Sequence, residues 1–334
     1  MSAAHWNHSG KIRAVFFALC LGAGVVAVQM PMWFKPFQLS FAALGMLYGL
    51  SFPVSAEAHT VLEKVSETGV LTAGTSKDAF PFAYADAKGQ LTGYSVDMLQ
   101  LIKMQLEAEL KRPVTLKLVA VDPDQRLPKL INGDLDIVCD ASSFTWTRDK
   151  DVDFSVSYGI TGTRLLTRRG AALSGPDTLR GKRIGVLSQT TNELAIQKAQ
   201  PQAQMVLFKD RAEGYQALQE GKIDAFASDG ILLDGWMQQG NHAKDFEVQG
   251  YPYSKEGIAC MVPENNSTFL DTVNYSLFRF TQGFLRKKPK AVAIFDRWFG
   301  PTGAAPLTQD LRSLVIDNMQ LILDFREELP DSAL

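Results

Sequence analysis

The sequence contains few of the residues that bind metal ions or form catalytic dyads. Only four of its 334 residues are histidines, and three are cysteines. His59 and His242 have no partner at metal-ligand spacing, and the C-x-x-C, H-E-x-x-H, G-x-S-x-G and P-loop patterns are absent from the sequence. We therefore expect no metal site, no cofactor and no catalytic residue.

An excess of charge of one sign is missing as well. The 34 basic side chains nearly balance the 36 acidic ones, so the chain lacks the basic excess of a nucleic-acid-binding protein. Hydrophobic residues make up 46% and charged residues 21%, which excludes a disordered or collagen-like chain. A length of 334 residues predicts about two domains.

The first 56 residues contain no acidic residue. Their only charged side chains are Lys11, Arg13 and Lys35, so the rest of the chain carries 31 basic against 36 acidic side chains. Lys35 precedes an apolar run at residues 39–52, and small residues follow at positions 54–56. This order is typical of a secretory signal peptide, and it predicts a protein exported to the periplasm.

Several properties of this leader segment, residues 1–56, stay open. Cleavage after residue 56 or 58 makes Glu57 or His59 the mature N-terminus. Translation from Met30 or Met32 would give a signal peptide of ordinary length. Because residues 14–28 form another uncharged run, an N-terminal membrane anchor is the alternative.

Strand and helix patterns alternate along the rest of the chain. Apolar or alternating runs predict strands at residues 70–74, 114–121, 135–139, 182–187, 205–208 and 223–227. Amphipathic patterns predict helices at residues 97–110, 125–132, 191–199 and 211–220. This alternation predicts βαβ units and a mostly parallel sheet. Three further helices, with their aromatic residues in the core, are predicted at residues 268–285, 291–299 and 311–323.

One short pattern occurs twice, 88 residues apart. Residues 130–136 and 218–224 have Leu, Gly and Asp at the same three positions. The glycine of each copy can end a helix in the left-handed conformation before a strand begins. Each strand then leads to polar residues, and open α/β sheets bind ligands beyond the carboxyl ends of their strands. The repeat therefore predicts two similar lobes with a cleft between them.

Eight motifs occur in the order typical of a known family. They are GYSVD at 93–97, RLP at 126–128, SFTWTR at 143–148, DFSVSY at 153–158, GTRLLTRRG at 162–170, LRGKRIGV at 179–186, TTNE at 190–193 and DAFASD at 224–229. From about residue 60 to residue 299 the chain resembles the family 3 solute-binding proteins of bacterial amino-acid ABC importers. Within that family it is most similar to the glutamate/aspartate-binding proteins.

The resemblance implies an α/β fold of the type II periplasmic binding protein class, with two βα lobes joined by a two-strand hinge. Lobe one would comprise residues 57–160 and 257–334, and lobe two would comprise residues 161–256. The chain would cross between the lobes near residues 158–163 and 254–258. A free amino acid would bind in the cleft between them.

The resemblance also implies which residues hold the backbone groups of that amino acid. Arg148 matches the arginine that binds the α-carboxylate, a task suited to a planar guanidinium fork. Asp229 matches the aspartate that binds the ammonium group. The alternatives are an exposed turn position for Arg148 and a helix N-cap for Asp229. The other expected residues of this subsite are Ser143, Ala141 through its carbonyl, and Thr190 and Thr191 before a helix.

Two further arginines predict the chemical class of the ligand's side chain. Arg126 matches the arginine that glutamate/aspartate binders direct at the side-chain carboxylate, and Arg211 replaces a histidine of theirs. Ser76 replaces their second arginine. Two cations in this subsite predict an acidic ligand, then its amide, before a basic one. The alternative is that Arg126 pairs with Asp124 or Asp140 and Arg211 faces solvent, which leaves a neutral pocket.

Two cysteines follow the leader segment and form one potential pair. Export makes their oxidation possible. Cys139 ends a predicted strand of lobe one, and Cys260 lies on the strand that returns to lobe one. The sequence therefore predicts a disulfide between Cys139 and Cys260, with two reduced buried cysteines as the alternative.

These expectations describe a binding protein without catalysis. We expect a periplasmic monomer that binds a free amino acid and delivers it to the membrane permease of an ABC importer. Two alternatives stay open: an enzyme resembling cyclohexadienyl dehydratase, and a ligand-sensing subunit of a receptor. Asp229 argues against the dehydratase, because those enzymes need a carboxylic acid in a cleft that lacks the amine-binding aspartate.

Overall fold

A computed structural model of the protein describes residues 60–334. The predicted leader segment and both predicted mature N-termini lie outside these residues. No helix in the described part of the chain is long and apolar enough to span a membrane.

Residues 60–334 form fifteen strands and nine α-helices. The strands are β1 (Val70–Thr75), β2 (Asp78–Ala79), β3 (Ala83–Ala85), β4 (Leu91–Thr92), β5 (Thr115–Ala120), β6 (Ile137–Val138), β7 (Val152–Phe154), β8 (Gly159–Thr161), β9 (Thr163–Arg168), β10 (Arg183–Leu187), β11 (Gln204–Phe208), β12 (Ala225–Asp229), β13 (Phe246–Val248), β14 (Glu256–Ile258) and β15 (Met261–Pro263). The helices are α1 (Val61–Thr68), α2 (Tyr94–Leu110), α3 (Arg126–Ile131), α4 (Thr191–Ala199), α5 (Arg211–Gln219), α6 (Gly230–Gln239), α7 (Ser267–Leu285), α8 (Pro289–Phe299) and α9 (Gln309–Asp324).

Two five-stranded sheets organise the two lobes. Their strand orders are β5-β1-β6-β15-β7 and β11-β10-β12-β9-β13. The first three strands of each sheet are parallel, as the βαβ pattern predicts. The fourth strand of each, β15 or β9, runs antiparallel to both neighbours, so each sheet is mixed and its parallel part consists of the first three strands. These two strands enter their sheets directly from the connection between the lobes and have no preceding helix.

The connection between the lobes consists of two short antiparallel strands, β8 and β14. Gly162 follows β8, and a Cβ atom at this position would lie 2.1 Å from the carbonyl oxygen of Ser254. Only glycine allows the two segments to approach so closely. The predicted crossings at residues 158–163 and 254–258 contain these strands, while the lobe boundaries at 160/161 and 256/257 stay a prediction.

The two copies of the sequence repeat have the same structure. Gly133 and Gly221 adopt φ angles of 76° and 72°, the left-handed conformation predicted for them. The aspartate of each copy accepts a hydrogen bond from a backbone N–H on the neighbouring parallel strand. These bonds join Asp136 to Thr72 and Asp224 to Arg183, each at 2.8 Å. The repeat thus fixes β1 to the residue before β6, and β10 to the residue before β12.

The C-terminal helices complete the core of lobe one. The aromatic residues that the sequence assigns to the core are all at most 7% exposed: Phe278, Phe280, Phe284, Phe295, Trp298 and Phe299. The rings of Phe280, Phe295 and Phe299 contact Tyr94 at the start of α2, which begins three residues before its predicted start. From lobe two, Ile231 and Leu232 of α6 pack against the same core.

A disulfide joins Cys139 and Cys260 across 121 residues of chain. Cys139 directly follows β6, and Cys260 directly precedes β15, the strand beside it. Both residues are fully buried. The bond therefore connects the two segments of lobe one that lie on either side of lobe two in the sequence.

Candidate binding site between the lobes

The two lobes touch through side chains that the sequence assigns to the site. Arg148, in the short helical turn after Ser143, donates from Nη2 to the carbonyl oxygen of Gln189 in lobe two at 3.0 Å. Its Nη1 donates to the Ser143 carbonyl oxygen at 2.9 Å. Arg148 is half-buried, so it is not the exposed turn residue of the alternative interpretation. Within residues 60–334 it forms no ion pair, and its positive charge stays uncompensated by direct contact.

Asp229 is the last residue of β12 and stands at the N-cap position of α6 without capping it through its side chain. Its Oδ2 accepts a hydrogen bond from Asn192 Nδ2 at 3.4 Å, while its buried Oδ1 has no partner among residues 60–334. Burial and then the charge of Glu256 raise the pKa of Asp229 to about 6, although Arg211 acts in the opposite direction.

The other residues predicted to bind the ligand's backbone groups differ in burial and in hydrogen bonding. Ser143 is buried and forms a bridge with Ile258 beside the hinge strands. Thr190 caps α4: its hydroxyl accepts from the Glu193 N–H at 3.3 Å and donates to the Leu187 carbonyl at 2.7 Å. Thr191 is the first residue of α4 and is half-buried, and Ala141 is buried next to Ser142.

Arg126 lies in a buried polar cluster with Ser76, Asp140 and Ser142. Its Nε is 2.7 Å from Asp140 Oδ2, and its two terminal nitrogens donate to the Ser142 and Ser76 hydroxyls at 3.2 and 3.1 Å. The Ser76 hydroxyl in turn donates to Asp140 at 3.0 Å. Of the alternatives open at the sequence level, Asp140 and not Asp124 is the partner of Arg126.

Arg211 begins α5 and is only 2% exposed, so the interpretation that it faces solvent is wrong. Its backbone N–H donates to Asp78 Oδ2 at 2.7 Å, and its Nη1 donates to Asp78 Oδ1 at 3.0 Å. Burial lowers the pKa of Arg211, but the charges of Asp78 and Asp229 raise it above its ordinary value. Asp78 belongs to lobe one, so this pair is a further direct contact between the lobes.

Sequence reasoning missed several residues of the site. Asp78, Asn192 and Glu256 all contribute to its charge or hydrogen bonding, and Asn192 lies within a motif that the sequence analysis quotes. Nothing near Asp78 or Glu256 in the sequence marks either of them as a site residue. Asp78 pairs with Arg211, which is 133 residues away, and Glu256 acts on Asp229, which lies on a different strand. Within residues 60–334, no group of three or more His, Cys, Asp or Glu side chains is arranged to hold a metal ion.

Comparison with known proteins agrees with this two-lobed arrangement. Residues 71–301 match the sequence model of the bacterial extracellular solute-binding proteins, family 3. The chain belongs to this family. It is 31% identical over 295 residues to the L-glutamate/L-aspartate-binding protein of Pseudomonas aeruginosa, covering 84% of this chain and 95% of that protein.

Two further relatives show the spread of ligands in the family. The glutamate/aspartate import solute-binding protein of Salmonella typhimurium is 29% identical over 247 residues, covering 72% of this chain and 80% of that protein. The solved structure of an ancestral arginine-binding protein bound to glutamine superposes with a TM-score of 0.62 at 27% identity, covering 70% of this chain and 98% of that one. The predicted type II periplasmic binding protein fold is confirmed.

Proposed function

We propose that the protein binds a free amino acid with a polar side chain, of the glutamate/aspartate type, and delivers it to the permease of an ABC importer. Binding takes place in the periplasm, by a monomer, and without chemical conversion of the ligand. The names of the two curated relatives support this ligand class and describe binding proteins.

One observation carries the proposal. Of the three arginines in the cleft, Arg126 and Arg211 each have a carboxylate partner, whereas Arg148 has none among residues 60–334. Asp229 likewise forms no ion pair in this part of the chain and keeps one buried oxygen without a partner. An unpaired guanidinium on one lobe and an unpaired carboxylate on the other match the two charges of an α-amino acid.

The paired arginines favour a second candidate ligand. Asp140 and Asp78 compensate the charges of Arg126 and Arg211, so the side-chain subsite is polar but close to neutral. A neutral amide such as glutamine suits such a subsite, whereas a carboxylate gains less there than beside a free cation. The ancestral relative with bound glutamine supports this second candidate.

Titration calorimetry with ligand-stripped protein tests the proposal. We expect L-glutamate or L-aspartate to bind most tightly, with L-glutamine and L-asparagine next and L-histidine and L-arginine last. Binding of none of the six amino acids at millimolar concentration would overturn the proposed function. Tightest binding of arginine or histidine would show instead that Asp140 recognises the side chain.

The Asp140→Asn variant distinguishes the acidic from the amide ligand. Removing this negative charge releases the charge of Arg126, so glutamate affinity should rise relative to glutamine by about tenfold. Asp134→Asn provides the matched control, because Asp134 is an exposed aspartate of the same lobe. An unchanged glutamate-to-glutamine ratio would show that Arg126 does not face the ligand side chain.

A further inference from the structure

We propose that Glu256, on hinge strand β14, is a specificity-determining residue that binds the ligand's ammonium group together with Asp229 and Thr161. The three oxygens form a site for a primary ammonium ion, so the protein selects α-amino acids against 2-oxo acids and N-methylated amino acids. This inference rests on the proposed function.

A series of polar contacts through Asn192, Thr163 and Ser254 links Asp229 to Glu256. Asn192 contacts Asp229 through its amide nitrogen and accepts from the Thr163 hydroxyl through its amide oxygen, at 2.8 Å. The Thr163 hydroxyl lies 3.0 Å from the Ser254 hydroxyl, which also contacts Glu256 Oε1. Each carboxylate therefore has one oxygen in contact with this series of side chains and a second oxygen without a hydrogen-bond partner among residues 60–334.

The second oxygens of both carboxylates and the hydroxyl oxygen of Thr161 are buried. Asp229 Oδ1, Glu256 Oε2 and Thr161 Oγ1 have no hydrogen-bond partner among residues 60–334. Buried polar atoms are normally paired, so three unpaired oxygens in one region point to a ligand with several donors.

Strand pairing places these oxygens near one another. Glu256 lies directly opposite Thr161 in the β8–β14 pair, and Asp229 lies opposite Thr163 in the β9–β12 pair. Only Gly162 separates Thr161 from Thr163, so these two strand pairs are adjacent along the chain. The charge of Glu256 raises the pKa of Asp229 and the Thr161 hydroxyl lowers it, and both effects agree with this proximity.

The chemistry of the three oxygens fits a primary ammonium ion. Such an ion has three N–H donors and one positive charge, and the site offers three acceptors and two negative charges. A 2-oxo acid has no donor for them and would leave both carboxylates buried and unpaired, which is strongly unfavourable. N-methylation removes one donor and adds bulk in the same place.

The first experiment compares ligands on the wild-type protein. Calorimetry is carried out with L-glutamate, N-methyl-L-glutamate and 2-oxoglutarate, and with L-glutamine and its N-methyl derivative as a second set. We expect each N-methyl derivative to bind at least about tenfold more weakly than its parent, and 2-oxoglutarate not to bind. N-methyl derivatives that bind as tightly as their parents would overturn the three-donor site.

The second experiment removes single acceptors. Glu256→Gln should weaken binding of the parent amino acid by at least about tenfold, and Thr161→Val by a smaller factor. Glu264→Gln is the matched control, because Glu264 is an exposed glutamate that follows β15. If Glu256→Gln does not fold, as judged by circular dichroism, Thr161→Val and the wild-type ligand comparison still decide the proposal.

The pH dependence of binding separates a direct role of Glu256 from a structural one. Arg211, Arg148 and Tyr215 also face Asp229, and the substitution leaves them in place. Without the charge of Glu256, the pKa of Asp229 falls, so the loss of affinity at acid pH should move to lower pH in Glu256→Gln. If Glu256→Gln binds the ligand as tightly as wild type and loses affinity at the same acid pH, the proposed role of Glu256 is overturned. Wild-type protein that binds no amino acid would overturn the proposed function itself.

Discussion

Asp78 and Arg211 lie in different lobes and are joined by two hydrogen bonds to the same carboxylate. One bond comes from the backbone N–H at the start of α5 and the other from the Arg211 side chain, at 2.7 and 3.0 Å. Lys77, the residue before Asp78, also approaches Asp210, the residue before Arg211, at 3.9 Å. Two adjacent residues of lobe one thus hold the first turn of α5 in lobe two.

Asp78→Asn should shift the ligand-free protein toward an open arrangement of the lobes. A hydrogen bond to a charged group contributes about 1.5–3 kcal/mol, so the ratio of closed to open molecules should fall by about tenfold or more. Small-angle scattering of ligand-free protein should then give a larger radius of gyration for Asp78→Asn than for wild type. An unchanged radius would contradict the role of this pair in closure, and Asp134→Asn serves as the control.

Arg148→Ala and Asp229→Ala should each abolish useful binding without unfolding the protein. The substitution leaves the opposite charge of the ligand desolvated and unpaired, which costs about 2–5 kcal/mol and lowers affinity at least ~30-fold. Calorimetry with L-glutamate and L-glutamine measures the loss. Arg180→Ala, at an exposed arginine of lobe two, should bind like wild type. Less than a fivefold change in both site variants would contradict their assignment.

The stability of the ligand-free protein should depend on the protonation of Asp229. Its pKa is raised from 3.8 to about 6 in the folded protein, so the folded state binds the proton more tightly than the unfolded state. This group therefore destabilises the protein above pH 6, by up to about 3 kcal/mol, and the cost disappears as the pH falls toward 4.

Asp229→Asn tests this linkage. The variant should be more stable than wild type at pH 7, and the difference should shrink at pH 5, as measured by urea unfolding of ligand-free protein. The same substitution removes ligand binding, so stability and function change in opposite directions. An equal stability difference at both pH values would show that the Asp229 carboxyl does not titrate in this range.

Removing the disulfide should destabilise the protein strongly. Opening a loop of 121 residues increases the entropy of the unfolded chain, which corresponds to about 4–5 kcal/mol in the chain-entropy model. The Cys139→Ala/Cys260→Ala double variant should therefore unfold at lower urea concentration than wild type. Titration of two free thiols in denatured, non-reduced protein would contradict the presence of the bond.

Local signals in the sequence predicted the helices well. The predicted bounds of α4 agree with the structure, those of α5 and α7 differ by one residue, and the left-handed glycines of the repeat are confirmed. Sequence reasoning missed α1 and α6, although Thr60 and Glu63 form a capping box before α1 that is visible in the sequence. Helix α6 contains Gly230 and Gly235, which weaken its helical signal because glycine is a poor helix former.

Long-range pairing could not be predicted in the same way. Strands of three residues such as β8 and β14 exist because neighbouring strands supply their hydrogen bonds, and local propensity does not select them. The charge of the site depends on the same kind of pairing. The presence of Arg126 and Arg211 predicts a basic subsite. In the structure Asp140 and Asp78 compensate the charges of these two arginines, through contacts that only the fold creates.

The disulfide also limits where the chain between the lobes could bend. Cys260 comes two residues after hinge strand β14, and its covalent bond to Cys139 fixes the lobe-one end of that strand to the middle of the sheet. Rotation of lobe two cannot be taken up by peeling β15 away from β6. A rotation of one lobe against the other would therefore pivot on the few residues around β8 and β14, and the same opposing surfaces would meet on closure.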